Sequence, residues 1–326
     1  MNGLALSSAA LGLGVSRDLL AAEPPPETTR IRLVRDPSVC LAPLLVAEEL
    51  LRQEGFRDIS YPAIEEGQTN SALLGSSKAD FGMDAAPALI MGLDGGDRFT
   101  ILAGVHVGCY ELFAAPRIRT MRDLKGATIA ITQERDDRHA FVASMLTHVG
   151  LDPRNDVKWT TQPGETAMRL FAEGKIDAFL GFPPEPQELR ARKVGHSLLN
   201  ILTDRPWSQY FCCMLAGNRD FVRKHPFATK RAMRAILKAN AICAAEPQRV
   251  SKLLVDKGYV TDARYTLQAL REIPYGRWRE FDAADTLRFY ALRLREGGMI
   301  KVSPDKILAE GANFRFLDEL KKELKA

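Results

Sequence analysis

The sequence contains little cysteine and almost no excess of charge of one sign. Five cysteines occur in 326 residues, too few for the disulfide framework of a small secreted domain. The 45 basic and 41 acidic residues are mostly interleaved and leave a net charge of +4, whereas nucleic-acid binders carry clustered basic faces. Hydrophobic residues make up 46% of the chain, which excludes intrinsic disorder. The composition predicts a soluble globular protein of about two domains with no nucleic-acid partner.

The usual signatures of catalytic and metal sites are also missing. The chain has no G-x-G-x-x-G, Walker A or G-x-S-x-G sequence, so nucleotide-binding and serine-hydrolase chemistry lack their motifs. The histidines form no H-x-x-x-H pair and the cysteines no C-x-x-C pair, so the sequence predicts no metal site and no cofactor. Cys212 and Cys213 are adjacent, where a disulfide bond would be strained. We interpret them as small apolar side chains of a strand.

The apolar run nearest the N-terminus, residues 3–15, is too short to span a bilayer, which requires about 20 residues. The run is followed by Ser16-Arg17-Asp18-Leu19-Leu20-Ala21-Ala22, with small residues at a possible cleavage site after Ala22, and then by Glu23-Pro24-Pro25-Pro26. We interpret residues 1–29 as a signal-like segment with a Pro-rich start, loosely attached over about its first 25 residues, and expect export to the periplasm. The basic residues that normally open such a signal are missing, so we expect the true start to lie upstream. An ordinary N-terminal helix is the alternative.

Apolar strand patterns alternate with helical patterns through the first two thirds of the chain. Ile31–Arg35 reads as a strand and Ala42–Glu54 as a helix, and the same order begins again at Thr128–Ile131. Strands separated by helices of this length indicate parallel sheets with helical crossovers. After Asn218 the pattern is almost wholly helical. The fold class predicted from this pattern is α/β with a helical C-terminal part.

An internal repeat sharpens this prediction. Two sets of residues match at a constant offset of 97, namely Gly67-Gln68-Thr69, Lys78 and Asp80 with Gly164-Glu165-Thr166, Lys175 and Asp177. The same offset places the strand at Ile31 on the strand at Thr128. We therefore predict two similarly built α/β lobes whose strand ends face a shared cleft, where such sheets bind ligands. Lobe one is expected over 30–112 and lobe two over 113–210, with a return to lobe one over 211–326.

Six short motifs carry a resemblance to a known family. They are Ala42-Pro43 with Val46-Ala47-Glu48, Lys78-Ala79-Asp80-Phe81-Gly82, Met121-Arg122-Asp123-Leu124-Lys125-Gly126, His148-Val149-Gly150-Leu151-Asp152, Gly174-Lys175-Ile176-Asp177-Ala178 and Phe221-Val222-Arg223-Lys224-His225-Pro226. Together they resemble the substrate-binding proteins of nitrate/sulfonate/taurine-type ABC importers, a group that includes thiamine-pyrimidine binders. The resemblance runs from about Ile31 to at least Ala245. It implies a type II periplasmic binding-protein fold, with crossing strands near Tyr110–Ala114 and Tyr210–Leu215.

The resemblance also implies a function. The protein is expected to be a monomer that captures a small solute in the periplasm by lobe closure. It is expected to deliver that solute to an ABC permease in the inner membrane. The alternative is an enzyme related to the fungal thiamine-pyrimidine synthases, which carry a Cys-rich cluster in the second crossing region. The segment Trp207–Cys213 does not reproduce that cluster, so we expect a binding protein and no enzyme.

The candidate ligand-binding residues follow predicted strands or lie at the crossings. They are Ser38, Val39, Thr69, Asn70, Asp84, Tyr110, Thr132, Arg138, Glu165 and Phe182. Backbone N–H groups at Ser38 can face an anion, and Arg138 is the candidate for a bidentate carboxylate or sulfonate clamp. Each has a structural alternative: Thr69 and Asp84 as helix caps, Arg138 in a salt bridge with Asp136 or Asp137, and Tyr110 in the core.

The identity of the solute is left open by the sequence. Helix N-termini and Arg138 favour a small organic anion, whereas Asp36, Asp84, Glu165 and Glu185 could equally receive a cationic or hydroxylated ligand. Pyrimidine binders often place an aromatic residue just after the first strand. Here Asp36-Pro37-Ser38-Val39 stands in that position, which disfavours a pyrimidine.

Overall fold

The computed structural model describes residues 23–65 and 67–324. Residues 1–22 of the predicted signal-like segment therefore lie outside the described residues. The start of the described chain is held by specific contacts. The Glu27 carboxylate accepts hydrogen bonds from the backbone N–H groups of Phe227 and Ala228 at 2.9 and 2.8 Å, and Glu23 pairs with Arg234. The predicted loose attachment up to about residue 25 falls mostly outside the described residues, and within them Glu23 is held by its ion pair with Arg234.

Ten strands, fourteen α-helices and three short 3-10 helices make up the regular structure of the described residues. The strands are β1 (Arg30–Arg32), β2 (Asp58–Ser60), β3 (Phe81–Ala85), β4 (Phe99–Val107), β5 (Glu111–Ala114), β6 (Thr128–Ile131), β7 (Lys158–Thr161), β8 (Ala178–Gly181), β9 (His196–Asn200) and β10 (Phe211–Asn218). The helices are α1 (Ala42–Val46), α2 (Glu48–Gln53), α3 (Asn70–Gly75), α4 (Ala86–Asp94), α5 (Asp137–His148), α6 (Gly164–Ala172), α7 (Glu185–Arg192), α8 (Arg219–Lys224), α9 (Pro226–Ala245), α10 (Pro247–Asp256), α11 (Ala263–Glu272), α12 (Ala283–Glu296), α13 (Pro304–Gly311) and α14 (Arg315–Glu323).

The strands form two separate groups. In lobe one, β1 pairs in parallel with β2, a parallel bridge between Leu33 and Phe81 joins β1 to β3, and β10 runs antiparallel between β3 and β4. In lobe two the order is β7-β6-β8-β5-β9, with β6 parallel to β7 and β8 and with β5 antiparallel to β8 and β9. The predicted α/β class with two lobes is confirmed.

The internal repeat appears as two copies of one strand–helix–strand–helix–strand unit. Strands β1, β2 and β3 occupy the same places in lobe one as β6, β7 and β8 in lobe two. In each unit an aspartate stands just before the third strand. Asp80 accepts a hydrogen bond from the Arg32 backbone N–H, and Asp177 accepts one from the Thr128 backbone N–H, both at 2.8 Å. The repeated aspartates thus tie the third strand of each unit to the first.

The chain passes from one sheet to the other twice, at residues 108–110 and again within 201–210. Gly108 has a φ of +54°, in the left-handed region that favours glycine. A Cβ atom at Gly108 would come within 2.5 Å of the Leu202 Cα atom. The two crossings therefore touch one another, and Gly108 is the residue that lets them approach.

The crossings lie slightly before the segments predicted for them. Residues 111–114 already form β5 of lobe two. Strand β10, which begins at Phe211, already belongs to lobe one. The boundary predicted between residues 112 and 113 consequently falls inside β5. Both β4 and β5 are buried along their whole length, so composition does not mark where the chain changes sheets.

The helices after β10 return to lobe one and reach across to lobe two. Helix α9 packs on α1 and α2, while α12 packs on α4 of lobe one and on α5 of lobe two. Within residues 23–65 and 67–324, no helix combines the length and apolar character needed to cross a membrane.

Candidate functional site

A cavity of about 250 Å³ lies between the two lobes, and we call it the cleft cavity. Its lobe-one wall consists of Asp36, Ile64, Gln68, Thr69, Asn70, Ser71, Asp84 and Ala88. Its lobe-two wall consists of Thr132, Gln133, Arg135, Asp136, Asp137, Arg138 and Phe182. Both walls include the segments that follow the first and third strands of the repeated units. The topology therefore explains why two distant parts of the sequence meet here.

The lobe-one wall is built from short polar segments after β1 and around the start of α3. The Thr69 side chain caps α3 by accepting a hydrogen bond from the Ala72 backbone N–H at 3.1 Å, as its structural alternative predicted. The Asn70 side-chain amide donates to one oxygen of Asp36 at 3.1 Å. Asp84 lies within β3 and accepts a hydrogen bond from the Ala85 backbone N–H at 2.7 Å, so it does not act as a side-chain cap of α4.

The lobe-one wall also presents hydrogen-bond acceptors that have no partner among the described residues. Asp36 and Asp84 each use only one carboxylate oxygen. The side-chain carbonyl oxygens of Gln68 and Asn70 are buried and unpaired. Unpaired buried acceptors are costly, and a ligand that brings N–H or O–H donors would satisfy them.

Burial raises the pKa values of the two lobe-one carboxyls. The pKa of Asp36 rises to about 6, chiefly through burial, while the hydrogen bond from Asn70 opposes the shift. The pKa of Asp84 is raised well above its ordinary value, first by burial and then by the negative charge of Asp137. Each group is half-buried and has no arginine or lysine among the causes of its shift. Burial therefore disfavours ionisation of both carboxyls, and neither forms a salt bridge with a basic side chain among the described residues.

The acidic groups of the lobe-two wall are used differently. Asp136 caps α5, and its carboxylate accepts hydrogen bonds from the backbone N–H groups of Thr132, Gln133 and His139 at 2.7–3.0 Å. Burial and the neighbouring Asp137 charge still raise the pKa of Asp136 to about 6. Asp137 accepts hydrogen bonds from the Tyr110 hydroxyl and from a backbone N–H group. Both oxygens of each carboxylate thus have protein donors.

Arg138 lines the cavity, but its guanidinium is already paired. Its two terminal nitrogens donate to the two carboxylate oxygens of Glu185 at 3.0 Å, and one of them also donates to the Leu180 carbonyl. The guanidinium lies over the Phe179 ring, 4.9 Å from its centroid. The salt-bridge alternative thus describes the geometry, with Glu185 as the partner in place of Asp136 or Asp137. Because Glu185 matches the fork geometry, the groups that a carboxylate or sulfonate clamp would use are occupied.

Six of the ten predicted site residues line the cleft cavity: Thr69, Asn70, Asp84, Thr132, Arg138 and Phe182. Ser38 and Val39 are buried, and the Val39 carbonyl accepts a hydrogen bond from the Tyr275 hydroxyl. Tyr110 stands behind the wall, with its ring 5.0 Å from that of Phe182. Glu165 is exposed on the first turn of α6 and is not among the described lining residues.

Some lining residues were not predicted as ligand contacts or were named only as an alternative. Asp36 was an alternative cation acceptor, and Gln133 and Arg135 belong to the polar stretch after β6. Considering whole loops at strand ends would have included them. Ile64 and Ala88 carry no sequence signal, because an apolar residue facing a cavity looks like a core residue.

Two side chains of the lobe-two wall contact lobe one directly. The Gln133 side-chain amide donates to the Gln68 backbone carbonyl at 3.0 Å. The Arg135 guanidinium donates to the Met91 carbonyl and lies 3.6 Å from the Asp94 carboxylate. Since Gln133 and Arg135 belong to lobe two and their partners to lobe one, the structure shows the lobes in contact across the cleft.

A second polar group lies close to the crossings. Ligand atoms of Cys40, His106, Cys109 and Cys213 lie within 4.8 Å of one another. The sequence predicted no metal site because these residues come from three separate segments. The spacing rules for local motifs give no signal in such a case.

Comparison with known proteins places the chain in a family. The model of the NMT1-like family matches residues 25–254, well over half of the sequence. The chain belongs to the NMT1-like family. Among curated proteins it is similar to the bicarbonate-binding protein CmpA of Synechococcus, with 27% identity over 125 residues. That match covers 38% of this chain and 27% of CmpA, so the chain matches only about a quarter of that relative's length.

Solved structures of binding proteins share the fold. The periplasmic nitrate-binding protein NrtA of Synechocystis PCC 6803 superposes with a TM-score of 0.74 at 16% identity, covering 92% of this chain and 90% of NrtA. The alkanesulfonate-binding protein SsuA of Xanthomonas axonopodis pv. citri, bound to MOPS, gives 0.71 at 17% identity, covering 90% and 100%. The predicted resemblance and type II binding-protein fold are confirmed. The desulfurization enzyme DSZB shares the fold more distantly, with a TM-score of 0.59 at 16% identity over 90% of this chain and 99% of DSZB.

Proposed function

We propose that the protein is the solute-binding component of an ABC importer, exported to the periplasm and working as a monomer with a membrane permease. The observation that carries this proposal is the cleft cavity, which is lined by polar side chains from both lobes. A solute that touches both walls stabilises the closed arrangement over the open one. The Gln133–Gln68 and Arg135–Met91 contacts support such closure.

Two solute chemistries are in competition. The sequence predicted a small organic anion, and the names of the relatives, which include bicarbonate-, nitrate- and alkanesulfonate-binding proteins, support that prediction. The charges in the cavity support the other chemistry. Asp36 and Asp84 form no salt bridge among the described residues, while Arg138 is neutralised by Glu185. We therefore favour a small solute with N–H or O–H donors, and a cationic solute most of all, because charge-assisted hydrogen bonds are the stronger ones.

A thermal-shift screen of the purified protein tests both parts of the proposal. The panel contains nitrate, bicarbonate and alkanesulfonates on one side, and small amines, amidines and polyols on the other. A true ligand at 100 times its Kd adds about 2.7 kcal/mol to the free energy of unfolding. Stabilisation by amines or polyols that is lost in Asp84→Asn and kept in Glu165→Gln, a change outside the cavity, supports the favoured chemistry. Stabilisation by anions alone contradicts it but leaves the binding function intact.

Closure is measured separately. Small-angle scattering of the protein with and without a solute found in the screen should show a smaller radius of gyration at saturation. An unchanged radius, or chemical turnover of the solute, would contradict the binding-protein function. Turnover would favour the enzymatic alternative, for which the described cavity offers no paired nucleophile and base: His139 accepts a hydrogen bond from the Arg135 backbone N–H and packs against Trp159.

A further inference from the structure

The group formed by Cys40, His106, Cys109 and Cys213 differs from ordinary buried cysteines. Cys40 follows β1, His106 lies in β4, Cys109 lies in the first crossing, and Cys213 lies in β10. Cys40, His106 and Cys213 are almost completely buried, and Cys109 is partly buried. Cys243 in α9 is equally buried but does not belong to the group. Packing as small apolar side chains accounts for Cys243, but it does not require three other thiols and an imidazole to converge.

The donor set has the chemistry of a closed tetrahedral metal site. Three cysteine sulfurs and one histidine nitrogen are a common ligand set of structural Zn²⁺ sites, with Zn–S distances of about 2.3 Å. Ligand atoms of such a tetrahedron stand about 3.8 Å apart. The four atoms here lie within 4.8 Å of one another. Shifts of about 1 Å or less would therefore complete the coordination.

The surroundings of His106 fit a metal ligand. A metal-bound histidine usually donates its second ring N–H to a carbonyl or carboxylate, which fixes its orientation. The His106 Nε2 atom lies 3.0 Å from the Cys40 backbone carbonyl oxygen. Nδ1 lies 3.4 Å from the Val107 carbonyl oxygen. With Nε2–H donating to Cys40, Nδ1 carries no hydrogen and is the nitrogen left to bind a metal. Cys109 also lines a small cavity of about 20 Å³ beside Gly108 and Leu202.

We propose that Cys40, His106, Cys109 and Cys213 bind one thiophilic divalent cation, with Zn²⁺ as the best fit. The bound ion would link three segments through their cysteines: the first crossing through Cys109, β10 through Cys213, and the loop between β1 and α1 through Cys40. That loop also carries Asp36 of the cleft cavity. The site thus fixes the hinge end of lobe one and the position of a ligand-binding carboxylate. It does not depend on which solute the cavity binds.

A disulfide bond between Cys109 and Cys212 would compete with metal binding. The Cys212 sulfur lies 2.7 Å from that of Cys109, and disulfide bonds persist in oxidising compartments. A Cys109–Cys212 disulfide would remove one ligand from the site. Protein purified with and without reductant therefore separates the two outcomes.

The test uses the full chain, reduced, stripped of metal with a chelator and titrated with Co²⁺ and then Zn²⁺. We expect one equivalent of Co²⁺ to give the thiolate charge-transfer and tetrahedral d–d absorption bands of a Cys₃His site, and one equivalent of Zn²⁺ to abolish them. Alkylation mapped by mass spectrometry should show that Zn²⁺ protects Cys40, Cys109 and Cys213. These readouts need no variant, so they hold even where a substitution prevents folding.

Variants provide the matched comparison. Cys40→Ser and Cys213→Ser should weaken Zn²⁺ binding on the order of 100-fold or more, since even the loss of supporting contacts around a metal costs 10–100-fold. Cys243→Ser and Cys212→Ser should leave the stoichiometry and the cobalt spectrum unchanged. Failure of the reduced wild-type protein to bind one equivalent would overturn the proposal. An equal loss of binding in Cys243→Ser would do so too.

Discussion

The two walls of the cleft cavity are related by the internal repeat, yet they treat their acidic side chains in opposite ways. In lobe two, Asp136 and Asp137 have protein donors on both oxygens, and the Arg138 charge is matched by Glu185. In lobe one, Asp36 and Asp84 each keep one oxygen without a partner among the described residues. A wall whose acidic side chains have protein donors on both oxygens is a satisfied, preorganised wall. A wall with unpaired acceptor oxygens is an unsatisfied wall, which gains hydrogen bonds when a ligand binds. The comparison implies that lobe one selects the solute and that lobe two supports it.

The largest effect is expected from breaking the satisfied wall. Arg138→Met leaves the Glu185 carboxylate in a buried site without its partner, and breaking such a pair costs about 3–5 kcal/mol of the free energy of unfolding. Denaturant unfolding of the apo protein measures it. The double variant Arg138→Met/Glu185→Gln should recover most of the loss. If Arg138→Met instead keeps its stability and loses only solute affinity, Arg138 is a ligand clamp and the comparison fails.

The unsatisfied wall should respond in the opposite direction. Asp84→Asn replaces a carboxyl whose ionisation is disfavoured by burial, so the apo protein should become no less stable. A cationic solute found in the screen should bind more weakly by about 1.5–3 kcal/mol, the value of a hydrogen bond to a charged group. Calorimetric titration and thermal melts measure the two effects. Asp137→Asn in lobe two is the matched control, and it should lower apo stability because it weakens the contact with the Tyr110 hydroxyl.

The pH dependence of apo stability tests Asp36 of lobe one against Asp136 of lobe two, whose pKa is raised to the same value. The Asp36 pKa is about 6 in the folded protein, above its ordinary value of 3.8. Its contribution to stability is therefore full below pH about 4 and is lost as the pH rises through about 6, by roughly 3 kcal/mol. Unfolding at pH 4.5, 6 and 7.5 measures the slope, which Asp36→Asn should flatten. Asp136 titrates in the same range. The decisive quantity is therefore the difference in slope between the wild type and Asp36→Asn. Identical slopes would contradict the prediction.

The sequence predicted the two lobes because the signals for them are local. Each strand or helix pattern and the cap at Thr69 are contained in a short segment, and the repeat at offset 97 is found by aligning two such segments. The partner of Arg138 could not be read in this way, because Glu185 stands 47 positions downstream and becomes a neighbour only after β8 is placed. The convergence of Cys40, His106, Cys109 and Cys213 likewise depends on the lobe-one sheet and the first crossing. Side chains that face a strand end are predictable, whereas their pairing across strands is not.

The smallest expected effect concerns the contact between the walls. Gln133→Ala removes the hydrogen bond from the Gln133 side chain to the Gln68 carbonyl, and a neutral hydrogen bond contributes about 0.5–1.5 kcal/mol. Because this bond exists only when the lobes meet, its loss should favour the open form, enlarge the apo radius of gyration in scattering and weaken solute binding by up to about tenfold. Gln53→Ala, at the exposed end of α2, is the matched control and should change neither quantity. If Gln133→Ala leaves both unchanged, closure rests on the Arg135 contacts or on the solute itself, and the two walls are not coupled through Gln133.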